Sequence, residues 1–290
     1  MVATVLSKAA AQDGPVAVYG QDIDPTAGAL AATWLVGDGV TSRVEVGDVF
    51  SADRYPDLQV DRIVTHPPFG PLRSEVPLDP DDPRWIYGEP AAGDAGAAWI
   101  QHCLFHLAEG GRAVIALPPR VLADRSKAGR VMQGIVKAGY LEAVIALPPR
   151  ILPDTPVAPV LMVFAKGRER LDGKPAPTLM VDAEDVPTSG GRRERTLPIE
   201  TIERLEAVVK AWTEGTPPES SDAAVATYDQ IVENGFDLTP RRYVVQPGIE
   251  INTSALRKEA LMLRGRLSSD IERSHLADAS LLTLLEGGIR

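Results

Sequence analysis

Asp61-Arg62-Ile63-Val64-Thr65-His66-Pro67-Pro68-Phe69-Gly70 is the stretch on which the reading of this 290-residue chain turns. A short run of strand-forming residues ends abruptly in two prolines and an aromatic. Neither proline has an N–H to give to a ladder, and each restricts the residue before it, so the strand stops there. Phe69 and Gly70 are then held at a strand's C-terminal end, where open α/β sheets place their ligands.

Towards the N-terminus, Val2, Val5, Leu6 and Ala9 recur at helical spacing and predict a helix over 2–11. Residues 16–20 read as a strand running into Gln21-Asp22-Ile23-Asp24-Pro25, 26–36 as a helix stopped by Gly37-Asp38-Gly39, and 43–48 as a second strand ending Gly47-Asp48. The strand at 61–65 is the third. Residues 71–94 are rich in Pro, Asp and Gly without a clear period, and a loop that long inside a compact domain is functional or mobile. Ala97, Ile100, Cys103, Leu104 and Leu107 form a helical stripe closed by Glu109-Gly110-Gly111.

Ala-Val-Ile-Ala-Leu-Pro-Pro-Arg occurs at 113–120 and again, identically, at 143–150. This is either a repeat or a pair of buried strands with similar ends; no third copy exists and the flanks differ, which favours the pair. Residues 160–166 follow closely enough to pair with the second of them. Beyond about residue 167 the composition shifts to charged loops, with a strand at 178–182, a polar loop at 183–197, a helix at 199–212 and a Pro/Ser/Glu linker at 214–222. A last apolar stripe at 254–274 (Leu256, Ala260, Leu263, Leu267, Ile271) packs on its own domain or awaits a partner helix.

The formal net charge is −10. A chain that gripped a DNA backbone alone would carry a strongly basic face, so with a nucleic-acid substrate a partner has to supply most of the grip. No apolar run approaches the ~20 residues that span a bilayer. The single cysteine, Cys103, precludes an internal disulfide and fits the cytoplasm. His102, Cys103 and His106 have metal-like spacing, but Cys103 lies on the apolar stripe with the histidines flanking it, which sends them to different faces. With no fourth ligand nearby, no metal is expected.

Taken in order, strand ends at Asp22, at Asp48 and at His66-Pro67-Pro68-Phe69, then a helix, a Gly-Gly turn, a strand and a strand pair, resemble the α/β class I S-adenosylmethionine-dependent methyltransferase fold, with a Rossmann-like sheet. Tyr19 to Asp24, Trp85 to Pro90, Gly110 to Ile115, Val144 to Pro149 and the Phe236-Asp237-Leu238-Thr239-Pro240-Arg241-Arg242-Tyr243-Val244 signature look like the modification subunit of type I restriction–modification systems. The resemblance covers about residues 1–245 and implies a methyltransferase domain over 1–185 followed by a smaller, mainly helical region over 186–290.

It also implies roles. Asp22 would accept from the cofactor's ribose hydroxyls, Ile23 and Val49 would sandwich its adenine, and Asp48 would accept from the adenine's amino group. Phe69 would stack on a flipped target adenine. The Pro67 carbonyl and residue 66 would accept the target's amino hydrogens, with Pro68 completing the rigid turn. The implied activity is methylation of adenine in DNA, alongside a specificity subunit and, in the same system, a restriction subunit.

Two departures stand against this pattern. His66 replaces the Asn or Asp of the motif, and a neutral imidazole offers one acceptor where an imidazolium offers none. The family's glycine-rich cofactor loop and its strand have no counterpart before the first helix, so the fold is expected to be truncated at its N-terminus. A mis-called start, a decayed or split gene, and a shortened subunit are the open explanations. On this reading the strands of Asp22 and His66 are separated by a gap or paired directly. The chain alone binds S-adenosylmethionine weakly or not at all, and a non-catalytic subunit that keeps fold and partner surface is the rival reading.

Overall fold

The computed structural model describes residues 16–71, 78–90, 95–124, 126–152, 155–191, 195–244 and Met262. The helix expected at 2–11 lies outside them, as do parts of the 71–94 loop and all of the helix expected at 254–274 except Met262. The chain divides into two compact units, Met1–Val245 and Gln246–Arg290, and all the strands and helices named below belong to the first.

Strands β1 (Ala17–Asp22) and β2 (Thr41–Val46) form a parallel pair, joined by the helix Pro25–Gly37. Asp24 caps that helix by accepting from the Thr26 N–H, and Pro25 at its first turn lacks only a proton the helix could not use. Strands β3 (Val60–Thr65), β4 (Leu107–Leu117), β5 (Leu141–Ala146), β6 (Val160–Ala165), β7 (Thr178–Asp182) and β10 (Ala223–Ala226) form a second sheet in the order β10-β7-β5-β6-β4-β3. β6 runs antiparallel between β4 and β5, which explains the twin octapeptides: they are two strands flanking one partner, with Val114 and Ala143 both opposite Val163. β1 and β3 are not paired with each other, and among the described residues no strand bridges them. Of the two arrangements expected for the strands of Asp22 and His66, direct pairing is not the one adopted; residues 1–15, which precede β1, lie outside the described residues.

The alternation of side chains along the central strands builds a three-layer sandwich. Val144, Ala146, Met162, Phe164 and Met180 face the helices Ala95–His106 and Lys127–Ala138. The intervening Ala143, Ile145, Val163, Leu179 and Val181 face the helix Ile199–Thr213 through Val208 and Trp212. Every residue of β5 is therefore buried, as expected for a strand covered on both faces. Within β4 a Cβ on Gly111 would lie 2.9 Å from the Ala108 carbonyl and 3.1 Å from that of Asp61, so glycine is needed where the pairing of β4 with β3 shifts register between Leu107 and Arg112.

The sheet continues past the boundary expected at 185. β10 adds an edge strand to β7, Ile231 and Leu238 are buried in the main core, and the Leu238 N–H donates to the Leu122 carbonyl. Residues 186–244 are also less purely helical than expected: besides β10 they hold a short hairpin, β8 (Ser189–Gly190) with β9 (Arg195–Thr196), in the stretch read as a loop. The Thr239-Pro240-Arg241-Arg242 signature docks on β7, where Arg241 pairs with Asp182 at 2.7 Å and Asp185 at 2.7 Å.

If the signature segment is part of this core, Leu238→Ala should lower the unfolding free energy by about 2–5 kcal/mol, whereas Leu171→Ala, at an exposed position, should change it by no more than about 0.5 kcal/mol. Urea denaturation of both variants measures this, and equal small losses would show that the segment merely rests on the surface.

Candidate functional site

The carboxyl end of β3 behaves as its prolines require. Pro67 is buried, Pro68 is exposed, and Gly70 takes a φ of +141° that favours glycine. The rings of His66 and Phe69 meet edge to face, 5.3 Å apart. Burial pulls the His66 imidazole below its ordinary range, so it is neutral at physiological pH and offers one acceptor nitrogen. The Gly70 carbonyl accepts from the Ala95 N–H at 3.3 Å and from Arg120 Nη2 at 3.1 Å, which ties the turn to the head of the helix Ala95–His106 and to the end of β4.

A second group of residues gathers where β1 and β2 end. Asp22 Oδ1 accepts from the Asp24 N–H, and the Asp22 carbonyl accepts from Gly47 N–H. Asp48 Oδ1 accepts from the Phe50 N–H at 3.0 Å. The loop after β2 is stapled by Gln21, whose Nε2 donates to the Gly47 and Ala52 carbonyls while its Oε1 accepts from the Arg54 N–H. Ile23 is 65% exposed, whereas Val49 is buried in a cluster with Phe50, Trp85 and Ala98. Of the two apolar residues assigned to the adenine, Ile23 is the one whose side chain is open to solvent. A carboxylate beside an uncovered aliphatic side chain at a parallel-strand end suits a nucleoside, with hydroxyls for the first and a base face for the second.

The structure adds a group that the sequence reading left unassembled. Cys103 does turn into the core, 3% exposed, with its thiol pushed up to about 12 by burial. His102 and His106, however, lie one turn apart on the same side of their helix, ring centroids 4.7 Å apart, and meet Asp53 there. The expectation that the spacing scatters them fails for the two histidines because residues i and i+4 share a helical face. His106 Nδ1 contacts the Leu58 carbonyl at 2.8 Å and Nε2 contacts Asp53 at 2.9 Å. Arg84, 6% exposed, donates to the Val49 and Phe50 carbonyls, to both oxygens of Asp82, and to His102 Nδ1 at 3.1 Å. A guanidinium only donates, so His102 accepts and is neutral; burial first, then the neighbouring His106 and Arg84, pushes its titration down to about 3. Burial works against ionised Asp53, but the Tyr55 N–H and His106 overcome it and hold the carboxyl below its ordinary value.

Residues 1–251 match the N-6 DNA Methylase family. The chain is 27% identical over 276 residues to the Type I restriction enzyme HindI methylase subunit of Haemophilus influenzae, covering 89% of this chain and 61% of that protein. It is 28% identical over 257 residues to the MjaIX methylase subunit of Methanocaldococcus jannaschii, covering 85% and 45%. The chain thus spans about half the length of these curated relatives. Its fold is similar to the crystal structure of the type I restriction-modification system methyltransferase subunit from Streptococcus thermophilus, with a TM-score of 0.72 at 20% identity over 84% of this chain and 58% of that one. The architecture is the class I methyltransferase fold expected from the strand order.

The buried neutral imidazole of His102 fixes the sign of one pH effect. An unfolded chain takes up a proton at His102 below about pH 6.5, whereas the folded chain resists until about 3. Stability from this residue is complete above 6.5 and drains away as pH falls towards 3. Thermal melts should therefore show the wild type losing stability faster than His102→Asn between pH 6 and pH 4. Parallel slopes would contradict a neutral, buried His102.

Proposed function

Because this chain belongs to the N-6 DNA methylase family, we propose that it is the methyl-transferring part of a type I modification subunit and acts on the amino nitrogen of adenine in DNA. The observation that carries this reading is the rigid Pro67-Pro68-Phe69 turn at the end of β3, tied through Gly70 to the helix Ala95–His106 whose last turns hold the loop after Asp48. Asp22, Ile23, Asp48 and Val49 are the residues that would hold S-adenosylmethionine, which when bound supplies an electrophilic methyl group. Phe69 provides the stacking platform for an adenine taken out of the duplex. The Pro67 carbonyl accepts one hydrogen of the target amino group, and the neutral ring of His66 accepts the other.

An acidic chain of this kind works with a partner that reads and grips the DNA, and the natural candidate is a type I specificity subunit, with a restriction subunit in the same cytoplasmic assembly. No described helix is long and apolar enough to cross a membrane. One observation favours a second reading, a subunit that keeps the fold without the chemistry: His66 stands at the acceptor position and its ring is already packed on Phe69.

The test is labelled methyl transfer to adenine by the chain joined to the family's glycine-rich cofactor segment at its N-terminus and assembled with a specificity subunit. Phe69→Ala should abolish it. His66→Asn should raise it at least about tenfold, since a well-placed transition-state hydrogen bond is worth ~10²–10³ in rate. Activity of the His66 protein should be flat at neutral pH and fall as the ring gains a proton, at a pH below the ordinary histidine value because burial lowers it; His66→Asn should lose that fall. Absence of methylation in all three proteins would establish the non-catalytic reading.

A further inference from the structure

The cluster around Arg84 is absorbed by none of the motifs above. Asp53, His102 and His106 bring ligand-type atoms within 4.8 Å of one another, yet the cluster is already filled. Arg84 Nη1 stands 3.1 Å from His102 Nδ1 and 3.9 Å from Asp53. Both ring nitrogens of His106 already have partners, the Leu58 carbonyl and the Asp53 carboxylate. The permanent positive charge of Arg84 already stands between two carboxylates, Asp82 and Asp53. A divalent metal would leave an excess of positive charge in a buried site, where unpaired charge is costly.

The donors of Arg84 point elsewhere. Nη1 reaches the Val49 carbonyl at 2.7 Å and Nη2 the Phe50 carbonyl at 3.1 Å, the carbonyls of the two residues that directly follow Asp48. The opposite side of the guanidinium is fixed by Asp82 through Nε at 2.9 Å, and His102 closes the ring of partners. A planar five-donor fork meets two carbonyls, a carboxylate and an imidazole at once, which a lysine ammonium cannot do.

We propose that Arg84 is a positioning residue for the adenine-binding loop at 48–50, gripping its backbone through two carbonyls and bracing it, by way of His102, on the helix Ala95–His106. This rests on the reading that Asp48 and Val49 hold the cofactor's adenine. His102 serves as the neutral acceptor that orients the guanidinium. The same helix begins at the Gly70 carbonyl, so Arg84 also sets the spacing between the adenine loop and the Phe69 turn.

The experiment uses the full chain as wild type, Arg84→Lys, His102→Asn and His102→Leu. Hydrogen–deuterium exchange reads the 48–53 segment against β5 and β6, and amide chemical shifts of Ile23, Asp48 and Val49 follow a titration with adenosine at millimolar concentration. Arg84→Lys should speed exchange in 48–53 at least about tenfold, leave β5 and β6 unchanged, and weaken adenosine at least about threefold. His102→Asn, whose amide oxygen can accept from the guanidinium, should stay close to wild type, while His102→Leu should follow Arg84→Lys. Should Arg84→Lys fail to fold, the His102 pair decides by the same readouts. Unchanged exchange in Arg84→Lys, or identical behaviour of the two His102 variants, would overturn the proposal. If adenosine shifts nothing in the wild type, the cofactor reading of Asp48 and Val49 fails, and the exchange comparison still decides whether Arg84 fixes the loop.

Discussion

The placement of one helix, Ala95–His106, is the constraint on which the functional end of this molecule depends. Its first amide is bound to the Gly70 carbonyl, and its last turns carry the imidazoles that meet Arg84 and Asp53. Twelve residues of α-helix are about 18 Å long and nearly incompressible. The Pro-Pro-Phe turn and the loop after β2 therefore cannot drift independently, although the strands that lead to them belong to different sheets. The helix itself is immobilised from behind by Ile100, Cys103 and Leu104 in the main core.

That arrangement also explains why so polar a cluster is tolerated inside. Burying one ion is expensive, but here Arg84 is paired with Asp82 and its remaining donors end on the Val49 and Phe50 carbonyls, while the His106 ring is satisfied by the Leu58 carbonyl and Asp53. The carbonyls concerned come from a loop, which has no ladder of its own to satisfy them. The cluster and the loop complete one another's hydrogen bonding, and neither is a stable arrangement alone.

What is legible in the sequence is what local chemistry controls. The strand ending at Pro67-Pro68, the capped helix after Asp24, the apolar runs of β5 to β7 and the apolar face of Ile199–Thr213 are each dictated by residues close together in the chain, and each stands where the pattern puts it. Arg84 leaves no such trace, because the groups it holds in the loop are main-chain carbonyls 34 and 35 residues earlier, and a bond to a backbone makes no side-chain pattern. The His102–His106 contact does leave a signal, the i, i+4 spacing, but the intervening Cys103 on the apolar stripe obscures it. The helix Lys127–Ala138 is hidden beside the twin octapeptides, although Val131, Met132, Ile135 and Val136 mark its buried face. The shift in composition near residue 167 marks charged connections within the sheet; four small residues, Ala223–Ala226, carry the chain back onto it.

Cys103 gives the chain a built-in chronometer. As the single thiol in 290 residues, sealed behind the helix and held protonated, it is inert towards alkylating reagents while its surroundings stay closed. Modification of that sulfur can proceed only through an opening that lifts the helix Ala95–His106 from the core. The rate of its labelling is accordingly a direct clock for the motion that would uncouple the two ends of the site, readable by mass alone and without any ligand present.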